Sequence, residues 1–219
     1  VKAREVGLKL IIGSEISIDD GSTIVLLAED RGGYANLCRL ITKGRRRSEK
    51  GESAVGWDEV RAHAAGVIAL WSGKRRSVTP AEAGFQANSN AGRKANLDSG
   101  PRRNAGSDGF IGATNLDKVT SRLCDAFDDR LYGMVARHRC EEEAALERDW
   151  RERMKRFDIS SIAVNEVLYH SPSRRRLQDV LTAIRHGVPV AACGQRLKPN
   201  AEFALKPPYA FAQLFADDP

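Results

Sequence analysis

The stretch that most constrains the fold lies near the end of the chain: Val164-Asn165-Glu166-Val167-Leu168-Tyr169-His170, followed by Arg174-Arg175-Arg176-Leu177-Gln178-Asp179-Val180-Leu181-Thr182-Ala183-Ile184-Arg185-His186-Gly187. The apolar residues 162–164 read as the end of a strand that opens into polar groups able to bind a metal. Ser171-Pro172-Ser173 then leads into an amphipathic helix over 174–185 whose first turn is basic. An apolar strand, a polar loop at its carboxyl end and an amphipathic return helix make a β/α unit, with function placed on the loop.

The rest of the chain repeats that alternation. Residues 1–7 read as a helix closed by Gly7. Residues 8–12 form a short apolar strand, Asp19-Asp20-Gly21 a turn, and Thr23–Ala28 a second, β-branched strand. Tyr34, Leu37, Cys38, Leu40 and Ile41 recur at helical spacing over 33–42. A short helix over 57–63 and a buried strand over Val67–Trp71 follow. After the gap described next, the pattern predicts a helix over 116–127, a strand over Leu131–Ala136, a charged helix over 141–157, a strand over Ser160–Val164 and a last helix after Pro207-Pro208. Acidic residues open the 141–157 segment and basic ones close it, which matches the helix dipole. The fold class is α/β.

Between residues 73 and 115 the composition changes to Gly, Ser, Asn, Arg and Lys with few apolar anchors. That bias marks a long irregular loop, read as an insertion or a frameshifted stretch. It divides the chain into 1–72, 73–115 and 116–219.

With 42% hydrophobic and 29% charged residues, the chain has ordinary globular composition. Its net charge of +6 points weakly to a polyanionic partner and is concentrated in short runs, Lys43 to Arg47 among them. Cys38, Cys124, Cys140 and Cys193 form no CxxC pair, so they read as free thiols of a reducing cytoplasm. No apolar run approaches the length of a membrane span.

Three strands are followed by groups suited to metal chemistry. Residues 8–12 run into Gly13-Ser14-Glu15, Leu131–Ala136 into Arg137-His138, and 162–164 into Asn165, Glu166 and then His170. Carboxylate and imidazole side chains arriving from separate strand ends suit zinc, manganese or iron, and such an ion could activate water against a phosphate ester. The ordinary alternative is that these are loop polar groups and caps. His63 reads as a helix-surface residue, His186 beside Gly187 as a cap that complements the dipole, and Gly32-Gly33 as a simple turn. The chain has no Walker loop, GxGxxG, GxSxG or HExxH motif.

Several segments, in order, resemble one family. Residues 7–17 (GLKLIIGSEIS), 24–47 (IVLLAEDRGGYANLCRLITKGRRR), 67–71 (VIALW), 129–138 (DRLYGMVARH), 164–187 and 197–215, with KPNAEFALKPP inside the last, are similar to successive parts of the PHP (polymerase and histidinol phosphatase) domain of bacterial DNA polymerase III alpha subunits. The VLYH step followed by RRRLQDVLTAIR resembles the error-prone branch. The resemblance implies a distorted β/α barrel of the PHP type, incomplete here, with a divalent metal cluster at the strand ends. Glu15 and His138 fall on ligand positions. The later Asp-x-His pair falls on Glu166 and Leu168, so Leu168 is a departure, and His170 stands nearby as a substitute. The paired histidines that open the domain are expected before Val1, and the magnesium-binding palm carboxylates after Pro219, leaving no polymerase site within the chain. Partners implied are DNA, through the parent polymerase, and other translesion or replisome proteins, with no membrane. Three readings stay open: a PHP fragment of an error-prone DNA polymerase, a free-standing metal-dependent PHP phosphoesterase, and a non-catalytic structural remnant.

Overall fold

The computed structural model describes residues 2–73 and 113–217. All but the two ends of the irregular 73–115 stretch therefore lies outside the described residues. Those described fall into two compact units, one made of 2–73, 113–135 and 142–164, the other of 136–141 and 165–217.

The first unit is mixed α/β. Its elements are α1 (Lys2–Glu5), β1 (Gly13–Ser17), β2 (Thr23–Ala28), α2 (Arg31–Arg47), α3 (Trp57–Ala62), β3 (Val67–Trp71), α4 (Ala113–Phe127), β4 (Leu131–Ala136), α5 (Glu143–Arg156) and β5 (Ser160–Val164). The strands line up in the order β1-β2-β3-β4-β5 as an open sheet with β1 and β5 at its edges. β1 pairs with β2 and β2 with β3 antiparallel, while β3 and β4 run parallel.

The β1–β2 hairpin corrects the first expected strand. Residues 8–12 are not a strand, and Leu8, Leu10 and Ile11 are exposed. Asp20 and Gly21 turn the chain so tightly that Ser17 faces Thr23, with Gly21 N–H donating to the Ile18 carbonyl at 2.9 Å. From that anchor the ladder runs outward through Ile16 opposite Ile24 to Gly13 opposite Leu27. A tight turn fixes hairpin register, and β2 ends at Ala28, whose N–H donates to the Ile12 carbonyl at 2.8 Å, leaving 8–11 without a partner strand among the described residues. Ile16, Ile24 and Leu26 are thereby buried on one face.

α2 begins at Asp30, whose carboxylate accepts from Gly33 N–H at 2.7 Å, satisfying one of the free amides of the first turn. Gly33 packs against the Gly66 turn so closely that a Cβ there would meet the Gly66 carbonyl oxygen at 1.6 Å. Gly32-Gly33 thus lies inside the helix and is no simple turn. α2 also continues five residues beyond the expected Thr42, since Gly44 lets the last turn lie on Ser53 and Val55. α4 buries Leu116, Leu123 and Phe127 along one stripe, and the Thr120 hydroxyl donates to the Leu116 carbonyl at 2.8 Å. α5 buries Trp150 and Met154 one turn apart; Trp150 meets Trp71 edge-on at 5.7 Å and its indole N–H donates to the Met134 carbonyl. His63, expected on a helix surface, is instead buried, its Nδ1 lying 2.7 Å from the Glu59 carbonyl at the end of α3.

In the second unit, α6 (Arg175–His186) ends on Gly187 in the left-handed conformation at φ 62°, as the sequence implied. α7 (Pro208–Leu214) follows Pro207. Between them, 168–169 lies beside 203–205: Leu168 N–H donates to the Phe203 carbonyl and Leu205 N–H to the Tyr169 carbonyl, both at 2.9 Å. Tyr169, Phe203 and Ala204 form the buried centre of this unit. Among the described residues no helix is long and apolar enough to cross a membrane.

Candidate functional site

Two of the four singled-out residues come together. His138 follows β4 and is 6% exposed; Glu166 follows β5. His138 Nε2 lies 3.8 Å from Glu166 Oε2, a pair whose charge depends on protonation of the imidazole. The ring of His138 stacks on Phe203 with centroids 3.9 Å apart and planes 12° from parallel. Lys198 Nζ stands 4.8 Å from the Phe203 centroid. The backbone of His138 is fixed as well, its carbonyl accepting from Asn200 Nδ2 at 2.6 Å. The other end of the Asn200 amide accepts from Glu202 N–H at 3.0 Å, and Glu202 is 3.5 Å from Lys206 and 3.8 Å from Arg139. Cys140 Sγ lies 3.7 Å from both the His138 carbonyl and Asn200 Nδ2.

The 165–170 segment sets the direction of Glu166. Asn165 Nδ2 donates to the Ala204 carbonyl at 3.2 Å, and the bridge between Tyr169 and Ala204 keeps the segment extended. Successive side chains of extended backbone point to opposite sides. Tyr169 takes the inward position, where burial raises its phenol above the usual range, with Asp179 and Glu202 adding and Arg175 opposing. Leu168 and His170 on either side are exposed, and His170 makes no hydrogen bond or ion pair with the described residues. His170 is thus not brought to the pair.

Glu15 belongs to the first unit. It sits in the middle of β1 opposite Val25, exposed, and not beyond a strand end as the sequence suggested. The hairpin register is the reason: the strand that was expected to end before Glu15 begins at Gly13.

His138 and Glu166 offer one imidazole and one carboxylate, whereas a catalytic zinc site takes three protein ligands. Among the described residues no three His, Cys, Asp or Glu side chains stand close enough to hold an ion. Among the described residues the His138–Glu166 donor set does not fit the expected cluster. What the arrangement does, within the second unit, is hold residues 138–140 to the 198–206 segment by stacking, by hydrogen bonds and by charge. Phe203 and Asn200 carry one signal in the sequence, their place in KPNAEF within a family-like tail, whereas Cys140 reads there only as one of four free thiols.

Comparison with known proteins defines the class. Residues 1–98 match the PHP domain family, so this part of the chain is a PHP domain, and the match runs into the segment that composition set apart. Over nearly its whole length the chain is homologous to proteins named error-prone DNA polymerase. It is 33% identical over 205 residues to that of Pseudomonas fluorescens, covering 94% of this chain and 16% of the relative. It is 33% identical over 232 residues to that of an Anaeromyxobacter species, covering 100% and 17%. Error-prone DNA polymerase 2 of Agrobacterium fabrum is 27% identical over 214 residues, covering 98% and 16%. The chain thus spans about a sixth of the length of these relatives.

Proposed function

We propose that this chain is the PHP portion of an error-prone DNA polymerase and serves there as a non-catalytic support for DNA synthesis across damage. The observation that carries the reading is the alignment of 94% of the chain at 33% identity with such a polymerase, together with the PHP match. In this reading DNA is the partner of the parent protein, in the cytoplasm and alongside other translesion or replisome proteins, and magnesium serves the parent's palm. The five-stranded sheet is one arc of a distorted β/α barrel, and 73–115 an insertion in it. The stacked and hydrogen-bonded His138 supports a buttressing role for the 138–166–203 cluster over a free-standing phosphoesterase.

Sequencing the gene on both sides of this coding segment tests the reading. Polymerase carboxylate motifs downstream would support it, and flanks that encode no polymerase would overturn it. Hydrolysis of p-nitrophenyl phosphate by the purified chain with manganese or zinc, lost in both Glu15→Gln and His138→Ala, would replace it with the phosphoesterase reading.

A further inference from the structure

α2 carries Arg31, Arg39, Lys43, Arg45, Arg46 and Arg47 and no acidic residue. At about 100° per residue, Arg39, Lys43 and Arg46 fall on one line along its outer face, with Arg31 and Arg45 beside them. All five are exposed. Arg47 turns back to Glu59 and the Ala54 carbonyl. None of the other five forms an ion pair among the described residues, and Arg39 reaches only the Asn36 side chain, at 3.3 Å. The opposite face, Gly33, Leu37, Leu40 and Gly44, is buried against the protein.

We propose that this outer face of α2 is a docking surface for the phosphate backbone of nucleic acid. Cations one turn apart along a helix stand roughly 5–6 Å apart along its axis, a charge density suited to a strand with a phosphate about every 3.4 Å. Arginine, four of the five, is the side chain that meets phosphate oxygens two at a time. A bilayer surface would need an apolar face beside the basic one, and the leucines of α2 are already buried. The surface goes beyond the polymerase reading and does not require it, because binding is measured on the chain itself.

The test is fluorescence anisotropy of a short labelled DNA duplex of mixed sequence, titrated with the full chain between about 50 and 200 mM salt. Wild type binds with a steep salt dependence. Arg39→Gln/Lys43→Gln/Arg46→Gln loses about 2.7 from the slope of log K against log salt, and a few hundred-fold (about 500) in affinity near 0.1 M salt. Arg46→Gln alone loses about 0.9 from the slope, which keeps the test decisive if the triple variant does not fold. Arg174→Gln/Arg176→Gln/Arg185→Gln removes the same charge from α6 and its approach, and retains binding. The proposal falls if wild type shows no salt-dependent DNA binding, or if the α6 variant weakens it as much as the α2 variant. It falls equally if anionic vesicles or polyglutamate bind in place of DNA.

Discussion

Replacing Gly33 by alanine tests whether the close approach of α2 to the Gly66 turn sets the geometry of the first unit. The added Cβ would lie 1.6 Å from the Gly66 oxygen and 2.5 Å from its carbonyl carbon, both backbone atoms that no rotamer can move away. α2 must therefore retreat or the turn must open. Retreat loosens the Asp30 cap on Gly33 N–H, a contact of about 1 kcal/mol. Opening the turn strains the 3.0 Å bond from Glu29 N–H to the Gly66 carbonyl, worth about 1 kcal/mol again. Overpacking adds about 1–3 kcal/mol, and the better helix propensity of alanine returns up to about 1. Gly33→Ala should thus destabilise by about 1–4 kcal/mol. Gly32→Ala is the control: its Cβ would meet only the Asp30 carboxylate, at 3.2 Å, so its effect should stay within about 1 kcal/mol. Equilibrium urea unfolding of both variants, with unchanged m-values, reads the difference directly. A midpoint for Gly33→Ala equal to or above wild type would refute the reasoning.

Asn200→Ala removes the 2.6 Å bond to the His138 carbonyl and the 3.0 Å bond from Glu202 N–H, and should cost about 1–3 kcal/mol by thermal unfolding; no loss would mean that the clamp is idle. Phe203→Ala should cost about 3–5 kcal/mol, since a buried ring that also stacks on His138 is removed, and a Tm within a degree of wild type would contradict this. Hydrogen bonding from Arg47, then from Gly56 N–H, holds Glu59 below the usual carboxylate range. A depressed folded pKa stabilises above the unfolded value, so the advantage of wild type over Glu59→Gln should be full at neutral pH and vanish as pH falls through the folded pKa; a gap that widens toward acid would reverse the sign. In alkylation timed by mass spectrometry, exposed Cys38 should react first and buried Cys193 last, with Cys124 slowed by burial and by Asp125.

The sequence by itself determined where most elements lie. Thr23–Ala28, Val67–Trp71, Leu131–Ala136 and Ser160–Val164 are strands with the expected bounds, because each is a short run of apolar or β-branched residues between breakers and so carries its signal locally. It also placed His138 and Glu166 just past two strand ends, and the chain's kinship was legible in its motifs. Tertiary structure decided the rest. Residues 8–12 are as apolar as a strand, yet the hairpin turn gave their pairing positions to Gly13–Ser17 and left Glu15 exposed in mid-strand. His63 looked like a surface residue until the neighbouring elements buried it. The partners of His138, Phe203 and Asn200, lie about sixty residues away with no periodicity linking them to it. Local pattern fixes what a segment becomes, whereas register and burial depend on which distant segment gets there first and how closely two backbones can approach.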